Sequence, residues 1–470
     1  MSNGCSKLFA NEPEPHSATV TTPDPHPTET DSGLRRGVGL IGVIMFGAGT
    51  AIGVSIFTVL QPASAIAGSG LLVAAVLAAI PMILFALVYA FMSSALPRSG
   101  ASFEWPSRFV HPLVGFLVAW VRILGSIGAV TVLATVLVNY LRMAGADWLD
   151  LVPNKAVMAV IISAIFLINW VGVAVAARAQ TIMMLVLLAA MALFVLTGAP
   201  DASLDRIGSL VATGWPAILA AVPLMITLFL GIESATEIGE EVRDARRTIP
   251  RGITLAVLLT GFVYLAVSIV ALGLLGPAGL AASDAPLLEA ARQGMGRWAT
   301  PVIATAAVVA LLKTMNAIVL IFSRYLYAMG RSGALPSALA RINRRFGTPH
   351  VALITAYCGT LAALLLPSNL VFLLLAVNVP TMLKYLASCL SAIGLVRHHP
   401  ELHAGAALHW SRRSVEMVAS AGVLAALAVI LAGLGADWRP YLLVGTWGLI
   451  GLAYWAARRR RAQSAELDAG

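Results

Sequence analysis

Two short stretches of this 470-residue chain hold residue types that an uninterrupted helix does not favour. The first is Gly47-Ala48-Gly49-Thr50-Ala51-Ile52-Gly53-Val54-Ser55. The second is Phe229-Leu230-Gly231-Ile232-Glu233-Ser234, with Glu237 one helical turn further on. Glycine weakens a helix by up to about 1 kcal/mol relative to alanine, and an acid deep in an apolar run carries a desolvation cost, so both stretches read as helix interruptions. An interrupted helix bares peptide groups. N–H groups at a half-helix N-terminus, with its partial positive charge, form an anion site, and unpaired carbonyls form a site for a cation. Surrounded by hydrocarbon and protein, Glu233 is favoured in its neutral form and so offers a protonatable switch; the other reading is a permanently charged acid held by N–H groups of unwound backbone. Small residues three or four apart also let helices pack closely, which is the plainer reading of the first stretch. The matched break in the second favours a binding site.

The elements that must position these stretches are apolar runs. The chain is 59% hydrophobic and 11% charged with mean hydropathy +0.87, whereas soluble chains carry about 25% charged residues, so the lipid bilayer is its expected solvent. Runs long enough to cross a bilayer predict about twelve transmembrane helices, over 38–60, 70–95, 112–144, 155–175, 178–198, 215–241, 253–275, 298–329, 351–366, 370–396, 415–434 and 441–457. The fold class is an all-α membrane protein, with one membrane domain over 35–457. Residues 1–34, with Pro13, Pro15, Pro23, Pro25 and Pro27 and no apolar periodicity, are expected to be a disordered tail, and 458–470 a second tail.

An even helix number puts both ends on one side. About twenty loop arginines, from Arg35 and Arg36 to Arg458–Arg461, fall on that side against about six cations on the other, which places both tails in the cytoplasm of a cell-membrane protein. The net charge of +9 belongs to this topology, and no nucleic acid partner is expected. Cys5, Cys358 and Cys389 indicate neither a disulfide framework nor a metal site, and no cofactor is expected.

The two interruptions lie five helices apart. Secondary transporters built from inverted repeats break corresponding helices at a midplane site, so the pattern implies a 5+5 inverted repeat, over about 38–198 and 215–396, with trailing helices over 415–457. A major-facilitator carrier would repeat after six helices. A membrane enzyme would show an HExxH pair, a Ser/His/Asp set or metal-spaced ligands, whereas His398 and His399 stand side by side at a helix end. A transporter-like sensor would usually carry an added soluble domain.

At these residues the chain resembles the amino acid–polyamine–organocation superfamily, whose members share the fold of the bacterial leucine transporter. Ala48 to Phe57 is similar to the family's first-helix signature, with Ser55 where a glycine is usual. Leu96-Pro97-Arg98-Ser99-Gly100-Ala101-Ser102-Phe103 leading to Gly115–Trp120 resembles the approach to the third helix. Phe229 to Ala235, with Glu240-Glu241-Val242 and Arg246–Arg251, resembles the sixth-helix block, and Asn316, Ser323-Arg324, Met329, Gly333 and Leu335-Pro336 the eighth. The resemblance implies a permease for amino acids or related amines, proton-coupled or exchanging, with an antiporter or exporter as the alternative. It further implies that a substrate carboxylate meets the N–H groups of Thr50, Ala51, Gly53, Val54 and Ser55, while the ammonium meets carbonyls near Gly47, Phe229, Leu230 and Ile232. Ile232 stands where many relatives carry an aromatic residue; it either selects neutral substrates or simply packs.

Arg122, Lys313 and Lys384 each lie about ten residues or more inside an expected span, where a charge is a functional candidate or one half of an interior pair. Relatives often place a lysine in the fifth helix near the position that sodium fills in sodium-coupled cousins, yet 181–188 holds none. Lys313 is therefore expected to supply that charge, beside Glu233 and Glu237 as coupling candidates. Oligomeric state leaves no mark in the sequence.

Overall fold

The computed structural model describes residues 34–143, 151–365, 370–436 and 438–468, so the expected tail over 1–34 lies outside the described residues except for Leu34. Every regular element among them is helical. The order is α1 (Leu40–Ala51), α2 (Ser55–Thr58), α3 (Leu60–Ala67), α4 (Leu71–Ala95), α5 (Ala101–Phe109), α6 (Pro112–Met143), α7 (Asn154–Val171), α8 (Val173–Gly198) and α9 (Leu204–Ile207). There follow α10 (Gly214–Ile226), α11 (Ala245–Ala282), α12 (Pro286–Met295), α13 (Ala299–Arg331), α14 (His350–Ala363), α15 (Leu370–His398), α16 (Pro400–Ala404), α17 (Arg412–Ala436) and α18 (Arg439–Asp468).

Among the described residues, nine helical stretches are long and apolar enough to cross a membrane, with two shorter apolar helices, Gly214–Phe229 and His350–Ala363, between them. Their outward faces carry large apolar side chains, among them Leu167, Leu196, Phe262 and Leu424, each more than 60% exposed. Such a surface would aggregate in water and is satisfied by lipid. A continuous apolar core joins α1, α4, α6, α8, α11 and α13. The last helix docks through paired indoles: Trp120 and Trp447 stack at 4.9 Å, and each ring N–H donates to the other's carbonyl at 2.9 Å.

Among the short helices in loops, α5 and α12 are the longest, at nine and ten residues. Each is amphipathic and too short to span, so a search for long apolar runs passes over them. The chain end beyond 458 continues α18 to Asp468. The run over 215–241 is α-helical only as far as Ile226.

Candidate functional site

Helix α1 remains regular through Gly47, Gly49, Thr50 and Ala51 and leaves the helical region at Ile52 (φ −73°, ψ 71°). The Gly53 N–H turns back to the Ala51 carbonyl at 2.7 Å, and helix resumes at Ser55. The interruption is thus three residues, 52–54. The N–H groups of Thr50 and Ala51 belong to α1, while Val54 and Ser55 stand where a restarting helix leaves N–H groups without intrahelical acceptors. The break's carbonyls are met by side chains: the Tyr264 hydroxyl donates to Ala51 O at 2.7 Å, and the Lys313 ammonium donates to Gly49 O and Ile52 O.

The second interruption is longer. After α10 come a 3-10 turn (Thr227–Phe229), an open turn over 230–233, and two further 3-10 turns, Ser234–Glu237 and Gly239–Glu241. No α-helix resumes before α11. Gly231 sits at φ +101°, which costs an L side chain, and a Cβ there would collide with Thr50. A Cβ on Gly47 would stand 2.6 Å from the Ile232 carbonyl, so this glycine lets the two broken segments touch. The same pair is tied at one end by Gly37 and Val38 N–H groups donating to Glu241 O, at 3.0 and 3.2 Å.

Between these segments and α6, α13 and α15 lies a cavity of about 490 Å³. Six of the expected site residues line it: Thr50, Val54, Ser55, Leu230, Glu233 and Glu237. Gly47, Gly49, Ala51, Gly53, Phe229, Ile232 and Lys313 instead form its backing. Phe229 packs edge-on against Tyr264 with ring centres 6.0 Å apart, and Ile232 is buried. Across the gap, Ser55 Oγ donates to Thr227 O at 3.4 Å, linking the two breaks directly.

Arg122 and Lys384, read from the sequence as functional candidates or halves of interior pairs, also line the cavity, as do Thr314, Ser126 and Thr381. Glu233 is paired with the Lys384 ammonium and accepts a 2.7 Å hydrogen bond from the Tyr385 hydroxyl, so side chains hold it, where one of the two sequence readings had backbone N–H groups. Glu237 is paired with Arg122 at 2.8 Å and accepts from the Ser102 N–H at 3.3 Å. Glu240 bridges Arg98 (3.1 Å) and Arg331 (2.9 Å), and Arg331 also reaches Glu104 at 2.6 Å. Glu241 is fully buried and held by Arg324 through two bonds of 2.7 and 2.9 Å. Each of the four acids, 233, 237, 240 and 241, needs a partner: Lys384 and Arg122 serve the first two, Arg98 and Arg331 serve Glu240, and Arg324 serves Glu241.

Behind Gly49 a buried amide chain links three helices, with Asn169 donating to Asn316 at 3.0 Å and Asn316 to Gln180 at 3.1 Å. Among the described residues no cluster of three His, Cys, Asp or Glu side chains could hold a metal ion.

The amino acid permease family model matches residues 38–447, which include both broken segments and every wall of the cavity. The chain belongs to the amino acid permease family. It is therefore a transporter in a membrane it crosses several times, and not an enzyme. This permease is 33% identical to an uncharacterized transporter of Mycobacterium tuberculosis over 72% of its own length and 76% of the relative's. It is 24% identical to the branched-chain amino acid permease BcaP of Bacillus subtilis over 92% of this chain and 95% of that one. Similarity extends to the vacuolar cationic amino acid transporter 2 of Arabidopsis thaliana, at 27% identity over 78% of this chain and 60% of the relative.

Proposed function

We propose that this permease is a secondary active transporter of amino acids or closely related amines, working by alternating access through twelve membrane helices arranged as a 5+5 inverted repeat with two trailing helices. The observation that carries the reading is the contact of two interrupted helices, α1–α2 and α10 with its 3-10 extension, on one side of a single cavity. There the N–H groups of Val54 and Ser55 receive a carboxylate, and the carbonyl of Leu230, on the cavity wall, receives an ammonium. The cavity between broken helices suits a zwitterion because bare peptide groups supply both polarities without a free charge. Loop arginines orient the protein with both termini in the cytoplasm of the cell membrane.

Lys313 supports coupling without sodium. Its buried ammonium donates to two carbonyls of the first break, the kind of oxygen ligands a bound alkali cation would use, so a covalently attached cation fills that role. Movement is then driven by protons or by exchange of one amino acid for another. Uptake of labelled amino acids into proteoliposomes, with proton and sodium gradients imposed separately, tests this. Accumulation is expected with a proton gradient or with internal amino acid, unchanged when sodium is replaced by choline. Lys313→Met is expected to lower uptake by about tenfold or more, because two buried carbonyls lose their donor. Strict sodium dependence of the wild type would overturn the assignment of Lys313.

A further inference from the structure

Among the described residues, four charged side chains line the cavity, and they are already matched in pairs: Arg122 with Glu237, and Lys384 with Glu233. These four together carry no net charge. Around Glu233 a complete receptor for a cation is assembled. One carboxylate oxygen meets the Lys384 ammonium, the other the Tyr385 hydroxyl, and that ammonium lies 4.6 and 5.7 Å from the ring centres of Tyr385 and Tyr89. A carboxylate flanked by aromatic faces is the arrangement that holds an ammonium or guanidinium strongly once water is excluded. In this chain its occupant is the chain's own lysine.

We infer that Lys384 determines specificity: it is a tethered cation filling the cation-receiving place on the cavity wall, so the permease carries amino acids with uncharged side chains and refuses those whose side chains are cationic. This deepens the amino acid reading above and rests on it. A lysine or arginine substrate reaching Glu233 must displace a group held there by the backbone. It must also leave the displaced ammonium buried and unpaired, the arrangement that is most costly for an ion pair in a protein interior. Glu237 offers no second place, because Arg122 and the Ser102 N–H occupy it. An uncharged side chain meets Val54, Val132, Leu133, Leu230, Ile318 and Ile321 and incurs no such cost.

The test is uptake of labelled leucine, alanine, lysine and arginine by the full-length protein in proteoliposomes, comparing wild type, Lys384→Met and the double variant Lys384→Met/Glu233→Gln. Wild type is expected to take up leucine or alanine and to exclude both cations. Lys384→Met bares Glu233 and is expected to raise lysine or arginine uptake, relative to the neutral substrate, by about tenfold or more. The double variant, with neither charge, is expected to exclude them again. Wild-type uptake of lysine or arginine as fast as leucine overturns the inference, and this arm stands even if the single variant does not fold. A folded Lys384→Met that still moves neutral substrate with unchanged selectivity overturns it too. Failure of the wild type to move any amino acid is a different result: it overturns the amino acid reading itself.

Discussion

Arg324 and Glu241 are both fully buried, and both carboxylate oxygens of Glu241 are held by that one guanidinium. Such a pair contributes little net stability relative to apolar residues, but removing one partner strands a charge and costs about 3–5 kcal/mol. Arg324→Met is therefore expected to lower the thermal transition in detergent markedly, and Arg324→Met/Glu241→Gln to recover much of the loss, as measured by fluorescence-detected unfolding. Equal destabilisation by the single and double changes would show that packing, not charge, sets the effect. At this scale the sequence was half legible. Depth inside an apolar run marked Arg122, Lys313 and Lys384 as anomalous. Their partners were hidden, because Lys384 and Glu233 lie 151 residues apart and Arg122 and Glu237 lie 115 apart, a separation only the fold closes.

The two interruptions differ as elements. In the first, Gly53 lies in the break itself but Gly47 and Gly49 do not unwind the chain, because packing of Gly47 against Ile232 and of Gly49 beside Gln180 keeps α1 regular to Ala51. A glycine's cost of about 1 kcal/mol is easily offset by such close contact. In the second, Gly231 marks the break, but the failure of helix to resume before Ala245 had no periodic signature; four acids there turn toward cations on several elements, which 3-10 turns allow. Gly231→Ala tests the element directly. It forces a side chain into φ +101° and against Thr50, a strain of order 1–3 kcal/mol. Uptake is expected to fall steeply while the protein still elutes as a monodisperse species, and unaltered uptake would mean the turn is free to rearrange.

For the whole molecule, composition and run length made the membrane class plain, because a chain with so few charges has no other solvent. The cavity was less legible, since its walls come from segments spread between Thr50 and Lys384. What unites these scales is a claim about recognition: peptide groups at two broken helices read the charged head that all amino acids share, while residues around Glu233 and Lys384 sort the side chain that each substrate carries. The most direct measurement is competition against uptake of a labelled neutral amino acid by three unlabelled compounds of one carbon skeleton: the amino acid, its methyl ester and its α-hydroxy acid. The account predicts that the zwitterion competes and that the ester, lacking the carboxylate, and the hydroxy acid, lacking the ammonium, each compete at least about tenfold more weakly, as expected for buried polar groups left unpaired. Equal competition by all three would contradict it.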